Sequence, residues 1–396
     1  MKKILKNTVV IFLISQVSGC AYFSSSQISL KDTNYESTLR FPASDKQSCS
    51  QLLLTFYEKQ DEDRMISRIK ATKEDPHKFF RSFPPLYYKI LEDLSLGNVF
   101  GDLVKHKGVI GGDVHIENFS VRTFKGEHRL LINDFDDLSE GPMIFDVIRL
   151  LTSIRLSGQK VDESFVAKFM TRYKEGLKGK KENYSDVTMR FFKESKKSDS
   201  RISTSKINVK KKKFVKKREP SFDMTSEEIE SWKELIVPNG KLVDQYKYVK
   251  ESGGSGGLDR FELLIENNGQ LIWVEAKEWE VPGINAGLKT KPPTYVKRLE
   301  HVLKYDQPDL PSFTIKYNDK IFFIREINES HVGLTIDGLS KKEKKEMFLD
   351  EAYALGFFHR QFGSTDSYID ELKKASDEAI SEHVEKIKDE VKDYVK

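Results

Sequence analysis

Two polar runs, in which Asn118 of the first stands sixteen positions before Asp134 of the second, constrain this chain more than any other feature. Gly112-Asp113-Val114-His115-Ile116-Glu117-Asn118-Phe119 is followed by Asn133-Asp134-Phe135-Asp136-Asp137. The segment between them, Ser120–Ile132, reads as a short strand pair, so the fold must bring both runs to one edge. Asn118 and Asp134, with Asp136 as a helper, are oxygen donors that suit a hard cation such as Mg²⁺, which keeps waters and binds substrate phosphates. Asp113, five residues before Asn118, is placed to accept or orient a hydroxyl proton in phosphoryl transfer. His115 reads as a structural hydrogen-bonding residue rather than a base. Gly141–Asp146 leads into an apolar helical run at 144–157, with Asp146 expected as a cap near its N-terminus.

A second constellation begins at Gln245, 108 residues after Asp137. Gly253-Gly254-Ser255-Gly256-Gly257 by itself is a linker composition, but it sits between Gln245–Lys250 and the strand Phe261–Ile265. Asn267-Asn268-Gly269 is a hairpin turn, and Leu271–Ala276 is the return strand. Folding back about Asn268 sets Lys277 opposite position 259, beside the glycine loop. A lysine there reaches phosphates that glycine backbone amides cover; the alternative is a surface lysine on an edge strand. Thr294–Tyr305 reads as a helix, with Glu300 as the ion-pair partner of Lys277 and Glu275 or Glu278 as substitutes. Phe313–Tyr317 and Ile321–Ile327 form a hairpin around Asn318-Asp319. Lys341–Phe362 and Tyr368–Tyr394 are helices, the latter carrying Ile380, Val384, Ile387, Val391 and Tyr394 on one docking stripe.

The first constellation resembles the catalytic core of the aminoglycoside phosphotransferase and choline kinase group. Gly111 is a departure, standing where those enzymes carry a histidine. More closely, the chain resembles an uncharacterised bacterial domain-of-unknown-function family, number twenty-two fifty-two. The likeness rests on the GDxHxxNF, NDFD and GPxxxD runs, on Ser252–Gly257 and Val274–Glu278, and in part on Phe79-Phe80-Arg81-Ser82. It implies a protein-kinase-like, two-lobed α+β fold with ATP and Mg²⁺ as cofactors. The order of parts is inverted: three strands, helix and two strands follow the catalytic loop instead of preceding it. The helix ending Leu355-Gly356-Phe357-Phe358-His359 resembles the one that normally leads into that loop. A circularly permuted kinase-like fold is therefore expected, since permutation changes connections and keeps packed contacts.

The 396 residues divide accordingly. Met1–Lys6 is basic, Thr8–Ile14 is an apolar run too short to span a bilayer, and Val17-Ser18-Gly19-Cys20 resembles a bacterial lipobox. Residues 1–19 are thus expected to be a lipoprotein signal, Cys20 the lipidated residue and 20–44 a tether. Ala21 after the cysteine points to the outer membrane. Residues 45–192 form the large lobe, 193–240 a basic connection, 241–328 the small β lobe, and 329–396 helices completing the large lobe. Net charge is +4, but residues 193–218 carry twelve Lys or Arg against Glu194 and Asp199. That run reads as a solvated connection, with contact of Lys206–Arg218 to anionic lipid as the functional alternative. Phe214 is the aromatic interleaving with its lysines, which disfavours nucleic acid. Two cysteines exclude a disulfide scaffold or a cysteine-rich zinc module.

Export and ATP chemistry conflict, because the envelope outside the inner membrane is poor in ATP. Three readings follow: an Mg²⁺-dependent phosphotransferase to an unknown acceptor, an inactive kinase-like binding module, or a metal-dependent phosphoesterase.

Overall fold

The chain folds as an α+β protein. A computed structural model describes residues 49–57, 62–95, 100–124, 127–197, 205–236, 240–250, 256–305, 312–327 and 331–395. The segment expected to direct export, with Cys20, the expected tether, and Gly253, Gly254 and Ser255 lie outside the described residues. Among the described residues, no helix is long and apolar enough to cross a membrane.

Two tight turns shape the larger sheet. Asn268 and Gly269 both have positive φ, 49° and 77°, as do Asn318 and Asp319 at 48° and 59°. This is the mirror-image turn whose twist matches the flanking strands of a two-residue hairpin. Six antiparallel strands result, in the order Phe313–Tyr317, Lys320–Glu326, Gln270–Glu278, Asp259–Asn267, Lys241–Val249 and Ser221–Phe222. Lys277 pairs with Arg260. That is one residue from the expected 259, because the hairpin's centre falls between 268 and 269.

Side chains alternate between the two faces of these strands. Phe261, Leu263, Ile265, Val274, Ala276 and Phe322 pack on one face with Trp232 of the helix Ser226–Ile236. Arg260, Glu262, Glu275, Lys277 and Arg325 occupy the other.

Much of the basic run, expected as an exposed connection, is packed structure. Ile207–Asn208 pairs with Lys213–Phe214, and buried Ile207 joins Leu264 and Trp273 on the sheet. Phe214 stands edge-on to Tyr246 at 5.0 Å between ring centres. The apolar Ile207 and Phe214 anchor the hairpin; Lys210, Lys211 and Lys213 are exposed, while Lys206 lies over the Trp273 ring and Lys212 pairs with Glu266.

The helical part is built on close crossings. Helices Glu163–Lys178 and Lys341–Arg360 meet through Gly176 and Gly356. A Cβ on Gly176 would lie 2.1 Å from the Tyr353 carbonyl oxygen, and one on Gly356 equally close to that of Tyr173. The expected final helix is split into Asp366–Leu372 and Asp377–Val395, and Ile380, Val384, Ile387 and Val391 of its stripe are buried. Strands Phe119–Phe124 and Glu127–Ile132 form the hairpin between the two polar runs, extended by Val332–Gly333. Lys107–Ile110 pairs with Ser139–Pro142. Helix Tyr295–Tyr305 ties this part to the six-stranded sheet: the Ile132 amide donates to the Tyr305 hydroxyl at 3.2 Å, and Arg298 donates to the carbonyls of Asp136 and Glu280.

Candidate active site

The first polar run is held as a rigid loop by groups from distant helices. Gly112 has a φ of 79°, and a Cβ there would lie 2.1 Å from the Asp137 carbonyl oxygen, so only glycine fits. Asp146 does not cap its helix. Helix Met143–Leu156 follows Pro142 with no side-chain cap, and Asp146 lies four residues inside it, facing the loop. There its buried carboxylate accepts from the Gly111 amide at 2.7 Å and the Gly112 amide at 3.1 Å. His359 Nε2 lies 3.1 Å from the same carboxylate, and His359 Nδ1 is 2.7 Å from the Tyr173 hydroxyl.

Asp113 sits in the middle of this loop, paired with the fully buried guanidinium of Arg149. That guanidinium lies 4.4 Å from the Phe80 ring centre and 4.9 Å from that of Tyr87. Burial pushes the Asp113 carboxyl up to about 7, with Asp137 adding to the shift and Arg149 opposing it. A base poised near neutrality is what proton abstraction at pH 7 needs. Asn118 Nδ2 donates to the Asp113 carbonyl at 2.8 Å, which ties the two ends of the loop. Burial drives the His115 imidazole well below its ordinary range, so it is neutral. Its Nδ1 accepts from the Glu117 amide at 3.2 Å, and its Nε2 is 3.9 Å from Asp113. Arg81 is paired with Glu117.

The second polar run meets the sheet. Lys277, on the central strand Gln270–Glu278, is ion-paired with Asp136, and its Nζ lies 3.6 Å from Asp134. Burial pulls the Lys277 ammonium down to about 8, opposed by Asp134. Burial alone would raise Asp134, but Lys277, Arg325, Arg260 and Lys250 outweigh it and hold this carboxylate ionised. Glu275, two residues before Lys277 on the same face, accepts from Tyr248 at 2.6 Å, Arg260 at 2.8 Å and Arg325 at 3.0 Å. Its carboxyl is depressed in spite of burial, because Arg325, Arg260 and Arg218 surround it. In front of this face lies a cavity of about 700 Å³. Five cations line it, Arg218, Lys250, Arg260, Lys277 and Arg325, against the carboxylates of Asp134, Glu219 and Glu275.

The structure thus gathers Asp113, His115, Asn118, Asp134, Asp136 and Lys277 in one region. Glu300 does not join them: it is exposed on its helix, and the carboxylates of Asp136 and Asp134 take the place expected for it. Of the glycine loop, Gly256 is buried and the Gly257 amide donates to the Lys250 carbonyl at 2.9 Å, closing the loop between its two strands. The residues that sequence reasoning missed are Arg149, Arg218, Lys250, Arg260 and Arg325. A signal existed for two of them. Arg260 and Glu262, like Glu275 and Lys277, are charges two apart within otherwise apolar strands, and Arg149 stands three residues after Asp146 in an apolar helix.

The donor chemistry fits Mg²⁺ bound together with a phosphate substrate. Among the described residues, no group of three or more His, Cys, Asp or Glu could hold a metal alone. Asp134 stays ionised and opens on the cavity, and Asn118, which carries a second hard oxygen, is held close by the Asn133 amide donating to its carbonyl at 2.9 Å. One or two protein oxygens completed by phosphates and waters is the ordinary arrangement for this ion.

Residues 60–247 match the model of a family described as an uncharacterized protein conserved in bacteria (DUF2252). The match covers just under half of the chain. It includes Asp113, Asn118, Asp134, Asp146 and Arg218 and stops short of the glycine loop and Lys277, so the sheet side of the site lies largely beyond it. No curated protein and no solved structure matches the chain.

Proposed function

We propose that this chain is a Mg²⁺-dependent phosphotransferase with a circularly permuted kinase-like build, held at the bacterial envelope through a lipidated Cys20. One observation carries the reading. Lys277, from a hairpin that follows the carboxylate loop by well over a hundred residues, lies against Asp134 and Asp136 in the wall of a cationic cavity. The likeness to the aminoglycoside phosphotransferase and choline kinase group gives those residues their roles.

In this reading Asp113 takes the proton of the acceptor hydroxyl, and its neighbourhood keeps it half-ionised near pH 7. The acceptor oxygen bonds to the terminal phosphorus of the donor as the bridging P–O bond breaks, and the electron pair leaves with the remaining phosphates. Lys277 and Arg325 face the developing charge, which fixed cations in a water-poor site stabilise strongly. Asn118, Asp134 and Asp136 would hold Mg²⁺, which supplies charge neutralisation on the donor phosphates. Asp146, through the Gly111 and Gly112 amides, keeps Asp113 in place.

The binding-module reading has its own support. Arg149 engages the carboxylate of Asp113, and Lys277 occupies the space between Asp134 and Asp136.

Thermal unfolding of the full-length protein in detergent, with Mg²⁺ and either ATP or inorganic tripolyphosphate, tests the proposal. A ligand confined to the native state stabilises it by about 2.7 kcal/mol at a hundredfold excess over Kd. Stabilisation that requires Mg²⁺, disappears in Asp134→Asn and survives in Asp113→Asn supports the site. Turnover lost in Asp113→Asn distinguishes an enzyme from a binding module. A folded protein indifferent to both triphosphates sinks the proposal.

A further inference from the structure

We infer that the donor is a base-free chain of condensed phosphate, with inorganic tripolyphosphate as the probe, rather than a nucleoside triphosphate. This rests on the phosphotransferase reading above and names the substrate class of that site.

A nucleotide needs cations for its phosphates and, beside them, an apolar slot or an open ring face for its base. Five cations line the cavity against the three carboxylates of Asp134, Glu219 and Glu275. The apolar cleft beside Asp136 and Asp137, walled by Tyr57, Pro85, Leu258, Trp279 and Val281, has a volume of about 20 Å³, too small to take a base. Two residues along the strand from Lys277, the same face carries Glu275, flanked in register by Arg325 on one neighbouring strand and Glu262 on the other. Both carboxylates belong to a closed ionic cluster. Arg260 and Arg325 hold Glu275, and Arg218 lies 3.0 Å from Glu262 and 3.5 Å from Glu275.

The aromatic rings on this face are already covered. Tyr248 and Pro220 are the uncharged parts of the cavity wall. Tyr248 spends its hydroxyl on Glu275, and the guanidinium groups of Arg218 and Arg260 lie 5.4 Å and 5.8 Å from its ring centre. Further out, Trp273 is covered by Lys206 at 5.2 Å, Arg218 at 5.8 Å and the Phe214 ring. In the other direction, Trp279 is stacked on Phe323 at 4.7 Å and capped by Arg298 at 4.0 Å. The 205–222 segment is what closes the outer end, because it delivers Arg218 and the hairpin that shields Trp273.

What remains suits a flexible polyanion. Guanidinium forks bind phosphate oxygens in pairs, and ammonium groups act as point charges. Arg218, Arg260, Arg325 and Lys277 offer both from the wall. Lys250, exposed at the rim, has no ion-pair partner among the described residues. The reaction balances without a nucleotide. The acceptor hydroxyl passes its proton to Asp113, its oxygen takes a terminal phosphoryl group from tripolyphosphate, and pyrophosphate leaves with the electron pair of the broken bridging bond.

Calorimetric titration of the full-length protein in detergent, with Mg²⁺ present, tests this with tripolyphosphate, ATP and adenosine. Tripolyphosphate is expected to bind about tenfold or more tighter than ATP, adenosine is expected not to compete, and Lys250→Gln to weaken tripolyphosphate several-fold. Lys250 is exposed, so that variant keeps the fold. ATP binding as tightly as tripolyphosphate, or adenosine displacing it, overturns the inference and leaves the phosphotransferase reading standing. Tripolyphosphate binding that ignores both Lys250→Gln and Arg218→Gln places the anion elsewhere and overturns it too. A folded protein that binds neither anion overturns both.

Discussion

The two faces of the six-stranded sheet are built from the same strands and obey opposite rules. Phe261, Leu263, Ile265, Val274 and Ala276 turn one way, into the core around Trp232. Arg260, Glu262, Glu275 and Lys277, interleaved with them residue by residue, turn the other way and are just as deeply buried. The apolar face is held by area removed from water and by packing, which reward shape and volume. The charged face is held by mutual compensation: each ion is tolerable only while its partners stay. A sheet that carried the second face alone would have nothing to anchor it, so the apolar face is what permits a buried ionic cluster beside the cavity.

The sharpest way to break the comparison is an isosteric change on each face. Glu275→Gln preserves shape and leaves Arg260, Arg325 and Arg218 without their shared carboxylate, for an expected loss of about 3–5 kcal/mol in denaturant unfolding. Leu263→Met, equally conservative in volume, should cost less than about 1.5 kcal/mol. Equal costs for the two would show that the ionic cluster is not the organising element of its face. Leu263→Ala, which does open a cavity, is expected to lose about 2–5 kcal/mol while leaving Mg²⁺–tripolyphosphate affinity unchanged in the folded protein.

A pH titration separates the two sides of the site. Asp113 is raised from 3.8 to about 7 in the folded protein. Between those values the native state holds a proton that the unfolded chain has released, so its contribution to stability is full below pH 3.8 and declines as pH rises towards 7. Asp134 is shifted the other way, so its contribution is present above its ordinary range and lost on acidification. Asp113→Asn should therefore flatten the stability profile between about pH 4 and 7 and leave the acid limb intact. On the proposed phosphotransferase reading, the rate should rise with pH through about 7, as the Asp113 carboxyl loses its proton. An unchanged stability slope in Asp113→Asn would mean that another group, such as Asp137, also raised by burial to about 6, sets it.

The smallest effect belongs to Glu300→Gln. Because Lys277 is satisfied by Asp134 and Asp136 and Glu300 is exposed, stability should change by no more than about 0.5 kcal/mol, with ligand affinity unaltered. A loss comparable to that of Lys277→Ala would restore Glu300 as the lysine's partner.

Local chemistry made much of this site legible in the amino-acid sequence. The Asn-Gly and Asn-Asp turns declare their hairpins because the backbone needs residues that tolerate positive φ, and strand period then sets Lys277 opposite Arg260. The carboxylate loop is similarly local: Asp113, Asn118 and Asp134 come together because a short hairpin leaves them no alternative. The buried stripe of the C-terminal helix follows from its period.

Other features depend on which elements pack across one another, and short-range pattern carries no record of that. Asp146 looked like a cap from its place near a helix start, yet it clamps Gly111 and Gly112 because that helix lies under the loop. Glu300 stands at a suitable position along its helix, but the rotation of the helix puts Arg298 inward instead. Arg218, inside a run that looks solvated, is drawn onto the sheet by the carboxylates of Glu262 and Glu275. Sequence alone thus determined the turns, the strand alternation and the polar loop, since each is decided within a few residues by backbone sterics and period. Only the tertiary structure decided which buried charges share partners, because pairing in a water-poor interior is a property of neighbours brought from anywhere in the chain.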